Sequence, residues 1–419
     1  MSHYSLRCRN CNTIIENSSC AFCEHCKDAL LVTEYKDVQF AQSAAPGVWR
    51  FNWLPVHKPG FSQSGPLIYR SEGLAAKIGL EDLFIAFNGY WPEKGALLET
   101  CTFKEFEAAT VLQNAKENGV EGLIVASAGN TARACAHLSE VTGFPVVIVV
   151  PRMCLMEMWY LEPQFAVPTL AVHDGDYADA IDVAKKIAAT TGFPFEGGVN
   201  NIAKRDGLGI VMLEAVAKIG KLPDHYVQAV GSGTGAIGNW EMAERFIRDG
   251  RYGTRLPVPH LGQNLPFAPM LHAWKRGSRV LFPGDLDPEL VTRTTTRVLS
   301  TRYPAYSVKG GVYDALTATG GKMYGVENDA VYAAMDLFLK TEGIDIVPAA
   351  GVAVAALGQA IQTGSIRKNE TVLLNITGGG EARLRQDRKT HAVVPTYVSK
   401  NITGKEIEDL LCNDLKKRS

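Results

Sequence analysis

Two rhythms of apolar residues alternate along the chain. Short unbroken apolar runs read as buried strands, and stretches with apolar residues three or four apart read as amphipathic helices. Residues 120–126 form a strand run, followed by the loop Ser127-Ala-Gly-Asn-Thr131, a helical stretch and a second strand run at 144–150, which together make a βαβ unit. Residues 168–172 read as strand, 177–190 as helix and 207–219 as a helix ending at Gly220. A strand run at 226–230 enters Gly231-Ser-Gly-Thr-Gly-Ala-Ile-Gly238, and a helical pattern over 240–247 and a strand-like stretch at 256–261 follow. Further on, the pattern predicts a helix at 330–341, a short strand at 344–347, a helix at 352–362 and a strand at 371–375. This alternation predicts a parallel α/β fold, and no repeat of solenoid period is visible.

Composition narrows the class. With 419 residues, 46% hydrophobic and 21% charged, the chain is long enough for two or three structural units and has no disordered bias. A formal net charge of -1 offers no basic field for nucleic acid, and no block of like charge suggests a membrane-binding tail. The start Met-Ser-His-Tyr lacks a basic-then-apolar leader, and the longest apolar runs have strand length, so a cytoplasmic protein without membrane spans is expected.

Five of the nine cysteines lie between Cys8 and Cys26, in Cys8-Arg-Asn-Cys11 and Cys20-Ala-Phe-Cys23-Glu-His-Cys26. The two-residue spacing suits tetrahedral zinc, and an element this small needs metal binding to fold. Cys8, Cys11, Cys23 and Cys26 are the favoured ligands, with Cys20 or His25 in reserve; reduced cysteines without metal are the alternative. Arg7, Arg9 and Lys27 are too few to make this ribbon a nucleic-acid module, which leaves a structural role.

The glycine-rich stretch from Gly231 to Gly238 follows a strand and precedes a helix, the setting in which backbone N–H groups and a helix N-terminus hold phosphate. Gly233-Thr-Gly-Ala-Ile-Gly238 also fits the dinucleotide pattern, but the strand-like stretch about twenty residues on has no acidic residue for a ribose hydroxyl. Lys104, in Thr100-Cys-Thr-Phe-Lys104, opens a helical run with Phe103, Phe106 and Val111 on a packing face; spacing alone does not separate it from other lysines.

Thr102-Phe-Lys104, Ser127-Ala-Gly-Asn-Thr131, Gly231-Ser-Gly-Thr-Gly235 and Ile376-Thr-Gly-Gly379 resemble, in order, the motif set of the fold-type II pyridoxal-phosphate enzymes. The resemblance covers roughly residues 60 to 390. The cysteine ribbon followed by Leu30-Leu-Val-Thr-Glu-Tyr35, and Glu342-Gly-Ile-Asp-Ile-Val-Pro348, resemble the threonine synthases. The family's usual Ser-Phe-Lys-Asp-Arg-Gly is replaced here by Thr102-Phe-Lys-Glu-Phe-Glu107. With Asn375-Ile-Thr-Gly-Gly-Gly380, this stretch most resembles the cysteate synthase family, threonine-synthase relatives that serve coenzyme M biosynthesis.

The resemblance implies a tryptophan synthase β-like fold of two parallel-sheet α/β domains plus a small zinc-ribbon-like element. The expected division is 1–35 for the ribbon, 36–95 with 195–395 for the larger cofactor-binding domain, 96–194 for the smaller domain and 396–419 for a C-terminal helix. It implies pyridoxal 5'-phosphate carried on Lys104, with Asn130 bonding its ring oxygen and Gly231, Ser232, Gly233, Thr234 and Gly235 its phosphate. Thr377 would face the pyridine nitrogen, where a neutral hydroxyl suits elimination and replacement. Ser127, Ala128, Gly129 and Thr131 would bind the substrate carboxylate, and Arg133, Lys204 and Arg205 are candidates for anion binding. The implied reaction replaces the phosphate of O-phospho-L-serine by sulfite to give L-cysteate, in a homo-oligomer. Threonine synthesis from O-phosphohomoserine and water, an O-phosphoserine sulfhydrylase, and a zinc-ribbon binding protein on a degenerate enzyme fold are the alternatives.

Overall fold

Parallel strands between helical layers are buried on both faces: the apolar runs Val146–Pro151 and Thr371–Ile376 are buried at every position, and so is the more polar His225–Ala229. The computed structural model describes residues 2–16, 20–61, 64–162 and 167–416. Its six-stranded sheet runs in the order Lys322–Val326, Val258–Asn264, His225–Ala229, Thr371–Ile376, Asp82–Phe87, Leu67–Arg70. All neighbours are parallel except the last pair, which closes one edge antiparallel. A second, four-stranded parallel sheet runs Thr396–Val398, Thr169–Val172, Val146–Pro151, Leu123–Ala126. At the N-terminus Ile14–Ile15, Tyr4–Cys8 and Leu31–Tyr35 form a three-stranded antiparallel ribbon.

Several elements differ from the pattern-based expectation. The run at 207–219 is two helices, Ile202–Leu208 and Ile210–Ile219, the first capped by the Asn201 side chain, which accepts from the Ala203 and Lys204 N–H groups. The break falls at Gly209, where a Cβ would lie 2.6 Å from Met242 and 2.9 Å from the Gly238 carbonyl, so a neighbouring helix crosses too closely for any side chain. The expected strand at 344–347 is absent as an element. Ile346 makes one isolated bridge to Gly379, and Pro348 then starts the helix Pro348–Gln362. The helix expected at 240–247 begins earlier, at Thr234, inside the glycine-rich loop. Within 396–419, Thr396–Val398 is a strand of the second sheet, and only Gly404–Lys416 is helical; residues 417–419 lie outside the described ones.

Candidate active site

The helix Lys104–Glu117 begins at Lys104 itself, and the turn before it is held in an uncommon conformation. Cys101, buried, sits at φ 55°, the left-handed region that costs a non-glycine residue on the order of 1–3 kcal/mol. Its surroundings fix it: the Cys101 N–H donates to the Leu98 carbonyl at 3.0 Å, and its carbonyl accepts from the Gly379 N–H at 3.1 Å. The Thr377 carbonyl accepts from the Phe103 N–H at 3.1 Å and the Thr102 hydroxyl at 3.2 Å, which ties the lysine turn to the end of the strand Thr371–Ile376. Glu105 accepts from the N–H and hydroxyl of Thr100, each at 2.7 Å.

This turn delivers Lys104 to a cavity between the two sheets. Ser127, Ala128, Gly129, Asn130 and Thr131 line one side; Gly231, Ser232, Gly233 and Gly235 line another; Thr377, Gln228, Tyr177 and Lys204 complete the polar wall. Gly129 adopts φ 137°, and Asn130 starts the helix Asn130–Thr142, so the asparagine sits at a strand-to-helix turn. Gly233 has φ 84°, and a Cβ there would lie 2.3 Å from Val312 Cγ2; at Gly231 it would lie 2.7 Å from the Leu299 carbonyl oxygen. Backbone alone fits at these positions. Thr234 is the one expected phosphate-loop residue off the cavity wall: it is buried, and its hydroxyl pairs with that of Ser232 at 2.9 Å.

The charges in the cavity are arranged differently from the sequence-based expectation. Lys104 Nζ lies 2.8 Å from Glu107 Oε2, and Lys204 Nζ lies 2.7 Å from Glu107 Oε1 and 3.1 Å from Glu196 Oε2. Burial pushes the Glu107 carboxyl up, but the charges of Lys104 and then Lys204 outweigh it and hold the group at about 2. Burial likewise pushes Lys204 down, and Glu107 and Glu196 reverse that and raise it. Lys204 therefore reaches the cavity with its charge already met by two carboxylates, not as a free anion-binding cation. Arg205 and Arg133 do not line the cavity at all. Arg205 is paired with Glu241 at 3.1 Å and donates to the carbonyls of Leu31 and Val199, while Arg133 pairs with Glu381 at 3.2 Å, donates to the Glu157 carbonyl at 3.0 Å and covers the Trp159 ring. Both are fixed structural cations. Glu107, not singled out from sequence, is the missed residue; its signal was its place one helical turn after Lys104.

The cavity suits pyridoxal phosphate. An amine, a neutral hydroxyl residue at Thr377 and a glycine-rich loop running into the N-terminus of a 16-residue helix share one wall system, and a helix end offers N–H groups to a dianion. The four sulfurs of Cys8, Cys11, Cys23 and Cys26 all lie within 4.8 Å of one another, and those of Cys11 and Cys23 are 3.7 Å apart. Sulfurs about 2.3 Å from a tetrahedral zinc are about 3.8 Å apart, so this set fits the metal. Cys20 and His25 stand outside the set.

Residues 70–378 match the family described as pyridoxal-phosphate dependent enzyme. A cysteate synthase of Methanosphaerula palustris is 48% identical over 417 residues, covering 98% of this chain and 97% of the relative. That of Methanosarcina barkeri is 45% identical over 408 residues, covering 96% and 98%. Among solved structures, maize serine racemase superposes with a TM-score of 0.59 at 15% identity over 77% of this chain and 92% of that one. The serine racemase of Dictyostelium discoideum gives 0.55 at 16% identity over 75% and 92%. At these identities the structural likeness speaks for the fold, and the sequence likeness for the family. The chain belongs to the pyridoxal-phosphate dependent enzymes and, within them, to the cysteate synthase family.

Proposed function

We propose that this enzyme replaces the phosphate of O-phospho-L-serine by sulfite, releasing L-cysteate and phosphate. The observation that carries the reading is the convergence of Lys104, Asn130, the 231–235 loop and Thr377 on one cavity, in a chain 48% identical to a cysteate synthase over nearly its whole length. Pyridoxal phosphate, when bound, supplies an electron sink that makes the substrate α proton acidic and lets a β leaving group depart. The loop residues Gly231, Ser232, Gly233 and Gly235, with Thr234 behind them, would hold its phosphate, Asn130 its ring oxygen, and Thr377 its ring nitrogen.

The chain's own residues do the rest. Lys104 takes the α proton from the substrate and returns it to the same carbon after exchange, a role that requires its Nζ to stand over the cavity. Ser127, Ala128, Gly129 and Thr131 bind the substrate carboxylate through N–H groups and hydroxyls of their loop, in which the Ser127 N–H already donates to the Val149 carbonyl and the Gly129 N–H to the Ser127 hydroxyl oxygen, and fix the Cα–H bond toward Lys104. At the β carbon the bond to the phosphate oxygen breaks and a bond to sulfite sulfur forms. The same reading places the enzyme in the cytoplasm as a homo-oligomer. No helix among the described residues is long and apolar enough to cross a membrane, and the clustered free thiols suit a reducing compartment.

Product mass analysis tests the reaction. L-cysteate is expected from O-phospho-L-serine with sulfite; threonine from O-phosphohomoserine alone, with no cysteate, would overturn the proposal, as would cysteine formed only with sulfide. Borohydride reduction and peptide mapping of the holoenzyme should locate the cofactor on Lys104.

A further inference from the structure

Lys104 and Lys204 are the two cavity-lining residues with cationic side chains, and they share one carboxylate. Glu107 turns Oε2 to Lys104 at 2.8 Å and Oε1 to Lys204 at 2.7 Å, and Oε1 also accepts from the Thr131 hydroxyl at 3.0 Å. Lys204 has a second carboxylate, Glu196, at 3.1 Å, and both acids are buried. The other titratable groups near them are Tyr177, on the helix Tyr177–Thr191, and Cys135, on the helix Asn130–Thr142. Burial pushes the Tyr177 hydroxyl up to about 12 and raises the Cys135 thiol, so both stay neutral.

The arrangement has a chemical consequence. A lysine that removes a proton has to be an uncharged amine, whereas a lone buried carboxylate beside it favours the ammonium form. Lys204, more deeply buried and doubly paired, is the cation that stays. We propose that Lys204 is a positioning residue for Lys104: as a permanent cation it occupies Glu107, so that the Lys104 amine can leave the carboxylate unprotonated and turn to its work in the cavity. This rests on the reading that Lys104 carries the cofactor.

The test uses the full chain resolved from its cofactor with hydroxylamine, because the readout is then the amine itself. Acetic anhydride labels only neutral amines, and mass spectrometry gives the rate at Lys104 relative to exposed Lys185. Lys204→Met is expected to slow Lys104 labelling about tenfold at neutral pH, because Glu107 then pairs with Lys104 alone. Glu107→Gln should speed it, the double variant should match Glu107→Gln, and Lys204→Arg should stay near wild type. A purely structural Lys204 would lower the melting temperature and leave Lys104 labelling unchanged; that result overturns the proposal. Should Lys204→Met fail to fold, Glu107→Gln decides: faster labelling supports the proposal, and unchanged or slower labelling overturns it. Reduction and peptide mapping separates the two readings, since a cofactor adduct on another lysine sinks the assignment of Lys104 whatever the labelling rates.

Discussion

Asp206 accepts a hydrogen bond from the Tyr35 hydroxyl at 2.7 Å, joining the last residue of the ribbon strand Leu31–Tyr35 to the helix that carries Lys204. Thr33 donates to the same oxygen at 2.7 Å, and Arg245 pairs with the other at 2.8 Å. The preceding residue, Arg205, donates to the Leu31 carbonyl. Three successive buried charged residues thus divide their work: Lys204 faces the cavity, and Arg205 and Asp206 face the ribbon. The ribbon is a brace for the cavity wall that carries Lys204.

Metal removal should therefore be felt in the active site. A metal held by the cysteine set would cross-link the ribbon, and stripping it with a chelator, or substituting Cys23→Ser, would remove that link. The expected fall in melting temperature is about 2 °C, the shift that roughly 2 kcal/mol produces in a chain of this size. Activity should fall with it and return on adding zinc. Calorimetry with and without chelator checks this, and equal melting curves would show that the ribbon is held by its packing alone.

Much of the site was legible because each motif is a local turn whose chemistry is written in adjacent residues. The 231–235 loop, the 127–131 loop and the Cys8/Cys11 and Cys23/Cys26 pairs are each brought to one place by the fold. What adjacency does not encode was misread. Arg133 and Arg205 look like solvated or anion-binding cations until their partners, the partly exposed Glu381 and the buried Glu241, are seen. Glu107 and Lys204 meet across nearly a hundred residues of chain. The Glu-Phe-Glu after Lys104, read as a departure from the threonine-synthase pattern, also has a physical account: Glu105 holds the Thr100 turn and Glu107 holds both lysines. Residues 344–347 have strand composition, yet a proline one step on commits the chain to a helix before a ladder can form.

Gly233 should not tolerate a side chain. A Cβ would lie 2.3 Å from Val312 Cγ2 in a residue already at φ 84°, so Gly233→Ala must move the loop that runs into the helix Thr234–Asp249. Because the loop lines the cavity, the loss should appear as cofactor affinity weakened about tenfold or more, equivalent to at least about 1.4 kcal/mol. Titration of the resolved enzyme by absorbance measures it. Wild-type affinity in the variant would mean that this loop does not hold the phosphate.

Arg133 separates a structural cation from a substrate-binding one. It is buried, and Arg133→Met leaves Glu381 only the more distant Arg385 at 3.9 Å and strips a cation from the face of Trp159. Because Glu381 is partly exposed and can rehydrate, the cost should fall below the roughly 3–5 kcal/mol of a fully buried broken pair, at about 2 kcal/mol. Urea unfolding should report that loss while KM for O-phospho-L-serine changes little. A large rise in KM with unchanged stability would return Arg133 to the substrate.

A buried pair of histidines away from the cavity sets an acid limit on the fold. His225 Nδ1 lies 3.0 Å from His260 Nε2; the far nitrogens meet Glu370 at 2.9 Å and the Tyr324 hydroxyl at 2.8 Å. Burial, then the nearby charge of His225, pushes His260 down to about 3. In the unfolded chain the same ring takes up a proton below about pH 6.5. The unfolded state therefore binds more protons between these values, and the stability contributed by neutral His260 is complete above about pH 6.5 and declines as pH falls toward 3. The slope from one such group approaches about 1.4 kcal/mol per pH unit. His260→Gln keeps a hydrogen-bonding side chain without a titrating ring, so its urea midpoint should fall less steeply between pH 7 and pH 5 than that of the wild type. Parallel slopes would mean that the ring is protonated in the folded protein and that other groups carry the acid sensitivity.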